Sequence, residues 1–247
     1  MRSLPPSRVL LALALGLTAA VANVLGGLFI VRREWSREYL KYFVALGAGF
    51  MLAAVFLEVI PESLRLDGDP ALLLVLGGFF LVHFFEHTLA PHFHFGEETH
   101  VSVMGTEHAG LAALLGLTMH TFFDGVAIAS GFLVSTWLGG VIFLAVVLHK
   151  LPEGFTVASL MLASGQSRRV ALLSSVMLGA ATLAGVLLMG VLPAQVRHAL
   201  PLSAGVTLYV AASDLLPEVN REPGVGLALV VFLGVALMLA LDRLFRF

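Results

Sequence analysis

Cysteine is absent from the 247 residues, which excludes disulfides, thiolate metal ligands and cysteine nucleophiles. Charge is scarce as well: 12% of the residues are Asp, Glu, Lys or Arg, while 59% are hydrophobic. Soluble domains carry about twice that share of charge, so the composition leaves the soluble class. Also missing are the weak alternating segments of about ten residues that build an outer-membrane barrel.

What the sequence has instead is long apolar runs, at about residues 8–31, 40–63, 71–90, 108–132, 137–164, 169–192, 199–218 and 224–245. A hydrocarbon layer about 30 Å thick takes about 20 such residues per helix. The expectation is an all-α polytopic membrane protein, a single transmembrane domain over residues 1–247 with short connections and no appended soluble domain. The start imitates a secretory signal, with Arg2, Arg8 and an A-x-A arrangement at Ala20 and Ala22. Apolar sequence nevertheless continues to Val31, so residues 8–31 read as the first helix. The net charge of -2 says little, but its placement says more. With external termini, the internal loops hold Arg32, Arg33, Arg37, Lys41, Arg168, Arg169 and Arg221, against Arg65 and Arg197 outside. The positive-inside rule favours that orientation, although basic residues at the termini narrow the bias.

Two internal symmetries stand out. "HTFFDG" (His120 to Gly125) and "HKLPEG" (His149 to Gly154) both read His-x-x-x-acid-Gly, which sets an imidazole and a carboxylate on one helix face. "EVIPE" (Glu58 to Glu62) and "DLLPE" (Asp214 to Glu218) both read acid-x-x-Pro-Glu. The second pair lies five helices apart, so its members cross the membrane in opposite senses. This is the pattern of an inverted repeat, helices 1–3 against 6–8 around a central pair, a 3+2+3 arrangement. Interrupted helices at matching positions of two repeats point to a transporter's substrate site.

A charge at mid-bilayer costs about 2.5–3.5 kcal/mol on insertion scales. Asp124, Lys150 and Glu153 near mid-span, with Glu58, Glu62, Glu86, Asp214 and Glu218 along the helices, therefore call for a compensating role. Acids dominate, so the pathway attracts cations. His120, Asp124, His149 and Glu153 make a four-ligand set for a borderline divalent cation such as zinc, iron or manganese. A buried polar network that only orients helices is the competing reading. Pro152 frees the carbonyl of Leu148, and Gly125 and Gly154 permit close helix approach. Lys150 fits a metal site poorly unless it pairs with Asp124 or Glu153 as a fixed positive charge.

The segment from His83 to His108 holds six of the nine histidines, including "HFHFGEETH" with His92, His94 and His100. Such a tract reads as labile metal capture in a loop over residues 91–107. "HFFEH" (His83 to His87) also matches a five-letter protease pattern, which is weak evidence at the end of an apolar helix.

On the paired His motifs, the His-rich tract, "GFMLAAVFLEVIPE" and "AGVTLYVAASDLLPE", the chain resembles the ZIP (Zrt/Irt-like) family of divalent metal transporters. The resemblance implies a zinc-type transport site at His120, Asp124, His149 and Glu153, external termini and a cytoplasmic His-rich loop. It further implies a homodimer and a prokaryotic member in the cell (inner) membrane. Met51 falls where some relatives supply a thioether ligand. Some relatives also bind two adjacent metals, using an Asn, a further polar residue and a sixth-helix Glu. Thr121 and Lys150 stand at the first two positions here, and no acid occurs between Gln166 and Arg197. The expectation is a single-metal site, with the Lys150 ammonium in place of the second cation.

The expected function is divalent-cation transport, zinc first and Fe2+, Mn2+, Co2+ or Cd2+ as further candidates, with no separate cofactor and no nucleic-acid partner. The ion would enter past Glu58, Glu62, Asp214 and Glu218, bind between the fourth and fifth helices and leave toward the His-rich loop. An intramembrane zinc hydrolase and a metal sensor are the alternatives. The hydrolase lacks a His-Glu-x-x-His motif and an evident open coordination position.

Overall fold

A computed structural model describes residues 6–32, 37–89, 107–221 and 225–245. His92, His94 and His100 lie outside these residues. Among the described residues every regular element is helical, and eight helices are long and apolar enough to cross a membrane. We number them as spans 1 to 8: Ser7–Val31, Lys41–Asp67, Pro70–Thr88, Leu114–Val134, Thr136–Ala163, Arg168–Val191, Pro193–Arg221 and Val225–Phe245. The molecule is a polytopic helical membrane protein, and its spans match the apolar runs within a few residues.

The connections between spans 4 and 5 and between spans 5 and 6 are short, with the helix ends capped locally. Ser135 alone separates spans 4 and 5, and its hydroxyl accepts from Leu138 N at 3.1 Å. Span 5 ends at Gly165, whose φ of +83° is the left-handed turn that glycine adopts without a Cβ penalty. There Gln166 N donates to Met161 O and Gly165 N to Leu162 O, which closes a Schellman turn. Ser167 then caps span 6 through Val170 N at 3.3 Å.

Spans 2 and 7 are each broken in the same way. A π turn over Val55–Val59 precedes Pro61, and one over Val210–Leu215 precedes Pro217. Ile60 N reaches back to Val55 O, and Leu216 N to Ala211 O, five residues apart rather than four. A proline has no N–H to donate and crowds the preceding turn, and the helix absorbs this by widening. Each wide turn carries a buried acid, Glu58 or Asp214.

Packing separates an interior from a rim. Span 1 lies on spans 5 and 6, span 4 on spans 5 and 6, span 2 on span 8, and span 3 on span 7. In the most apolar window of span 5, 72% of residues are buried, against 17% in span 8. Charge placed on span 5 is therefore shielded from lipid by protein, whereas span 8 offers no such shelter. Two glycines set the interior spacing. A β-carbon at Gly154 would overlap the carbonyl of Asn23 on span 1, and one at Gly125 would overlap that of Thr182 on span 6.

Candidate metal centre

The interior between spans 4 and 5 holds His120, Thr121, Asp124, His149, Lys150 and Glu153, each exposed by 5% or less. Helical spacing of four puts His120 over Asp124 and His149 over Glu153, and the glycine that follows each acid admits a neighbouring helix, span 6 at Gly125 and span 1 at Gly154. One donor atom from each of His120, Asp124, His149 and Glu153 lies within 4.8 Å of all the others.

Asp124 Oδ2 is the focus of the group. His120 Nε2 stands 3.1 Å from it, His149 Nε2 3.3 Å and Lys150 Nζ 2.6 Å. Lys150 also pairs closely with Glu153 Oε2, and its Nζ donates to Thr121 Oγ1 at 3.2 Å. Thr121 Oγ1 in turn donates to Glu153 Oε1. His149 Nε2 is 3.9 Å from Glu153 Oε2.

The histidine tautomer follows from a backbone contact. His149 Nδ1 lies 3.1 Å from Ala145 O, and a carbonyl only accepts, so Nδ1 carries the hydrogen. Nε2 then faces the carboxylate oxygens of Asp124 and Glu153, at 3.3 and 3.9 Å. A cation seated between that nitrogen and the carboxylates would be held by both, with the backbone contact fixing the orientation of the ring. His120 is held on one side only: Nε2 faces Asp124, and its buried Nδ1 has no hydrogen-bond partner among the described residues. Two imidazoles and two carboxylates are the donor set of a borderline divalent cation.

The remaining expected residues are scattered along the helices. Met51 is fully buried in the apolar cluster that includes Ala145. It lies one turn beyond Gly47, where a β-carbon would stand 3.8 Å from His149 Cβ. The four acids of the presumed entrance do not form one group. Glu58 is buried and accepts from Trp137 Nε1 at 3.3 Å, next to the connection between spans 4 and 5. Glu62 pairs with Arg65 at 3.0 Å on the same end. Asp214 and Glu218 lie at the opposite end, because span 7 runs to Arg221 beside the start of span 2. Glu218 pairs there with Arg221 at 3.4 Å. The separation follows from geometry: spans 2 and 7 cross in opposite senses, so their matching ends face opposite sides.

Two contributors were not legible as site residues. Thr121 links Lys150 to Glu153, and only its place after His120 in the motif marks it. Tyr209 donates its hydroxyl to Glu86 Oε2 at 2.9 Å, beside His83 at the end of span 3, and Asp214 lies within electrostatic range of that carboxylate. A tyrosine within an apolar run gives no sequence signal of this kind. A small, mainly apolar cavity is lined by Val55, Val59, Ala127, Ile142, Val146 and Thr207.

Fold and site together define a polytopic membrane protein with a buried, acid-rich imidazole cluster suited to a divalent cation. The ZIP Zinc transporter family model matches residues 96–242, more than half of the chain. The chain belongs to that family. It is similar to human zinc transporter ZIP5, with 36% identity over 172 residues covering 63% of this chain and 31% of that protein. It is also similar to the Drosophila melanogaster ZIP13 homolog, with 30% identity over 149 residues, 56% of this chain and 42% of that protein. Xenopus laevis zinc transporter ZIP9-B matches at 25% identity over 83% of this chain and 84% of its own length. The chain thus spans less than half the length of the first two relatives.

Proposed function

We propose that this chain moves a divalent transition cation, zinc first, across a membrane through the buried cluster between spans 4 and 5. The observation that carries the reading is the convergence of four donor atoms from His120, Asp124, His149 and Glu153 within 4.8 Å, in an interior closed to lipid. Relatives named as zinc transporters support zinc, and Fe2+, Mn2+, Co2+ and Cd2+ are the other ions this donor set accepts. The reading is of a transporter, not an enzyme, and a single metal per protomer belongs to it, because Lys150 fills the place of a second cation.

This reading assigns the acids to the two ends of the route. The ion enters past Glu58 and Glu62, binds at the cluster with Met51 beside it, and leaves past Asp214, Glu218 and the His-rich loop with His92, His94 and His100. With external termini, that direction is toward the cytoplasm. The 3+2+3 inverted repeat is supported by the matching π turns and by paired packing, span 2 on span 8 and span 3 on span 7. A homodimer and a prokaryotic inner-membrane setting complete the reading, on the family resemblance alone.

The test is radiolabelled zinc uptake into proteoliposomes, comparing the native chain with His149→Ala/Glu153→Ala. Saturable uptake that disappears in the double variant, with an unchanged size-exclusion profile, is the expected result. Uptake untouched by the substitutions moves the pathway elsewhere, and zinc binding without uptake makes the chain a sensor or hydrolase.

A further inference from the structure

Lys150 is fully buried, and its ammonium stands on the one oxygen that both imidazoles face. A cation held by His120 Nε2 and His149 Nε2 needs Asp124 Oδ2, since that atom lies 3.1 and 3.3 Å from the two nitrogens. Lys150 Nζ holds the same atom at 2.6 Å. Metal and ammonium cannot share it: two positive centres around one carboxylate oxygen in a dry interior repel strongly. The lysine has a place to withdraw to, because Thr121 Oγ1, which is not among the four donors, already receives it at 3.2 Å.

We propose that Lys150 is a tethered cation that competes with the transported metal for Asp124 Oδ2. The arriving metal displaces the ammonium toward Thr121, and the ammonium returns to Asp124 as the metal leaves. This rests on the reading of the cluster as the transport site. The charge balance gives the consequence. With neutral imidazoles, two carboxylates and one ammonium leave the cluster at -1, and a divalent cation takes it to +1. Without the ammonium the cluster runs from -2 to neutral and binds the metal more tightly. The lysine therefore holds affinity down, which a site that must release its ion requires, and it does so without a second metal.

The experiment measures zinc affinity of the purified full chain by equilibrium dialysis with radiolabelled zinc at fixed pH, together with proteoliposome uptake. The variants are Lys150→Met, Lys150→Gln and Lys150→Arg. The neutral variants are expected to bind zinc at least about tenfold tighter, with half-saturation at lower zinc and a lower maximal uptake because release slows. Lys150→Arg keeps the charge and shows no gain in affinity. Neutral variants that bind zinc no tighter than the native chain overturn the proposal, provided native binding still vanishes in His149→Ala/Glu153→Ala. If the native chain binds no zinc at that cluster, the transport reading falls and takes the proposal with it. If both neutral variants lose their fold while Lys150→Arg keeps it, Lys150 is structural and the proposal is again overturned.

Discussion

Spans 4 and 5 carry the same short motif, yet the structure uses its two copies differently. In span 5, His149 is oriented by Ala145 O at 3.1 Å, and its acid, Glu153, is tied up by Lys150 and Thr121. In span 4, His120 Nδ1 has no hydrogen-bond partner, while its acid, Asp124, draws three nitrogens to one oxygen. The strongly positioned imidazole and the strongly shared carboxylate therefore come from different copies. Only the glycines play the same part in both: Gly154 admits the span 1 backbone and Gly125 the span 6 backbone. A repeated motif fixes the spacing of donors, whereas its surroundings decide which donor matters most.

The glycines give the largest expected effect, and they test the part of the comparison that is symmetric. A β-carbon at either position would meet a backbone carbonyl, Asn23 O or Thr182 O, and neither can swing aside as a flexible side chain would. Gly154→Ala and Gly125→Ala should each cost about 3 kcal/mol or more, at the upper end for overpacking. Thermal melting in detergent should show both losing folded protein to a similar extent. Tolerance at one position alone would show that the two close approaches are not equivalent.

The acids come next, and here the copies should part. Asp124→Asn removes the charge from the oxygen shared by both imidazoles and Lys150, whereas Glu153→Gln leaves that oxygen in place. Losing one partner of a buried ionic group costs about 3–5 kcal/mol. Zinc uptake is expected to fall by about 100-fold or more for Asp124→Asn and by about tenfold for Glu153→Gln. Equal losses would mean that the metal draws on the carboxylates alike and that the sharing at Asp124 carries no extra weight.

Much of this arrangement could be read before any coordinates. Apolar run length marks spans because the bilayer has a fixed thickness, and the His-x-x-x-acid spacing marks a common helix face because the helix period is fixed. The acid-x-x-Pro-Glu pairs announced interrupted helices, since a missing N–H has an unavoidable local consequence. Other features were hidden because they depend on contacts between distant segments. Thr121 reaches Glu153 across two helices, and Tyr209 reaches Glu86 from a helix 123 positions away in sequence. The placement of Glu58 and Glu62 at one end and Asp214 and Glu218 at the other has a simpler reason: helices that cross in opposite senses carry similar sequence to opposite ends.

The smallest expected difference lies between the histidines, and it isolates the role of orientation. His120→Ala and His149→Ala each remove one imidazole from the same cluster, so a donor count alone predicts equal losses. His149 also brings a ring already oriented by Ala145 O, with its Nε2 aimed at the carboxylates before a metal arrives. Partners that orient a ligand in this way are worth about 10- to 100-fold in metal affinity. His120 is held through Nε2 alone, by Asp124 Oδ2 at 3.1 Å, so its ring is less firmly pre-oriented than one anchored at both nitrogens. Zinc dissociation constants measured at one pH should therefore rise by about 100-fold for His149→Ala and by about tenfold for His120→Ala. A reversed order would place the orienting contact on span 4, and equal values would show that ring pre-orientation adds nothing to this site.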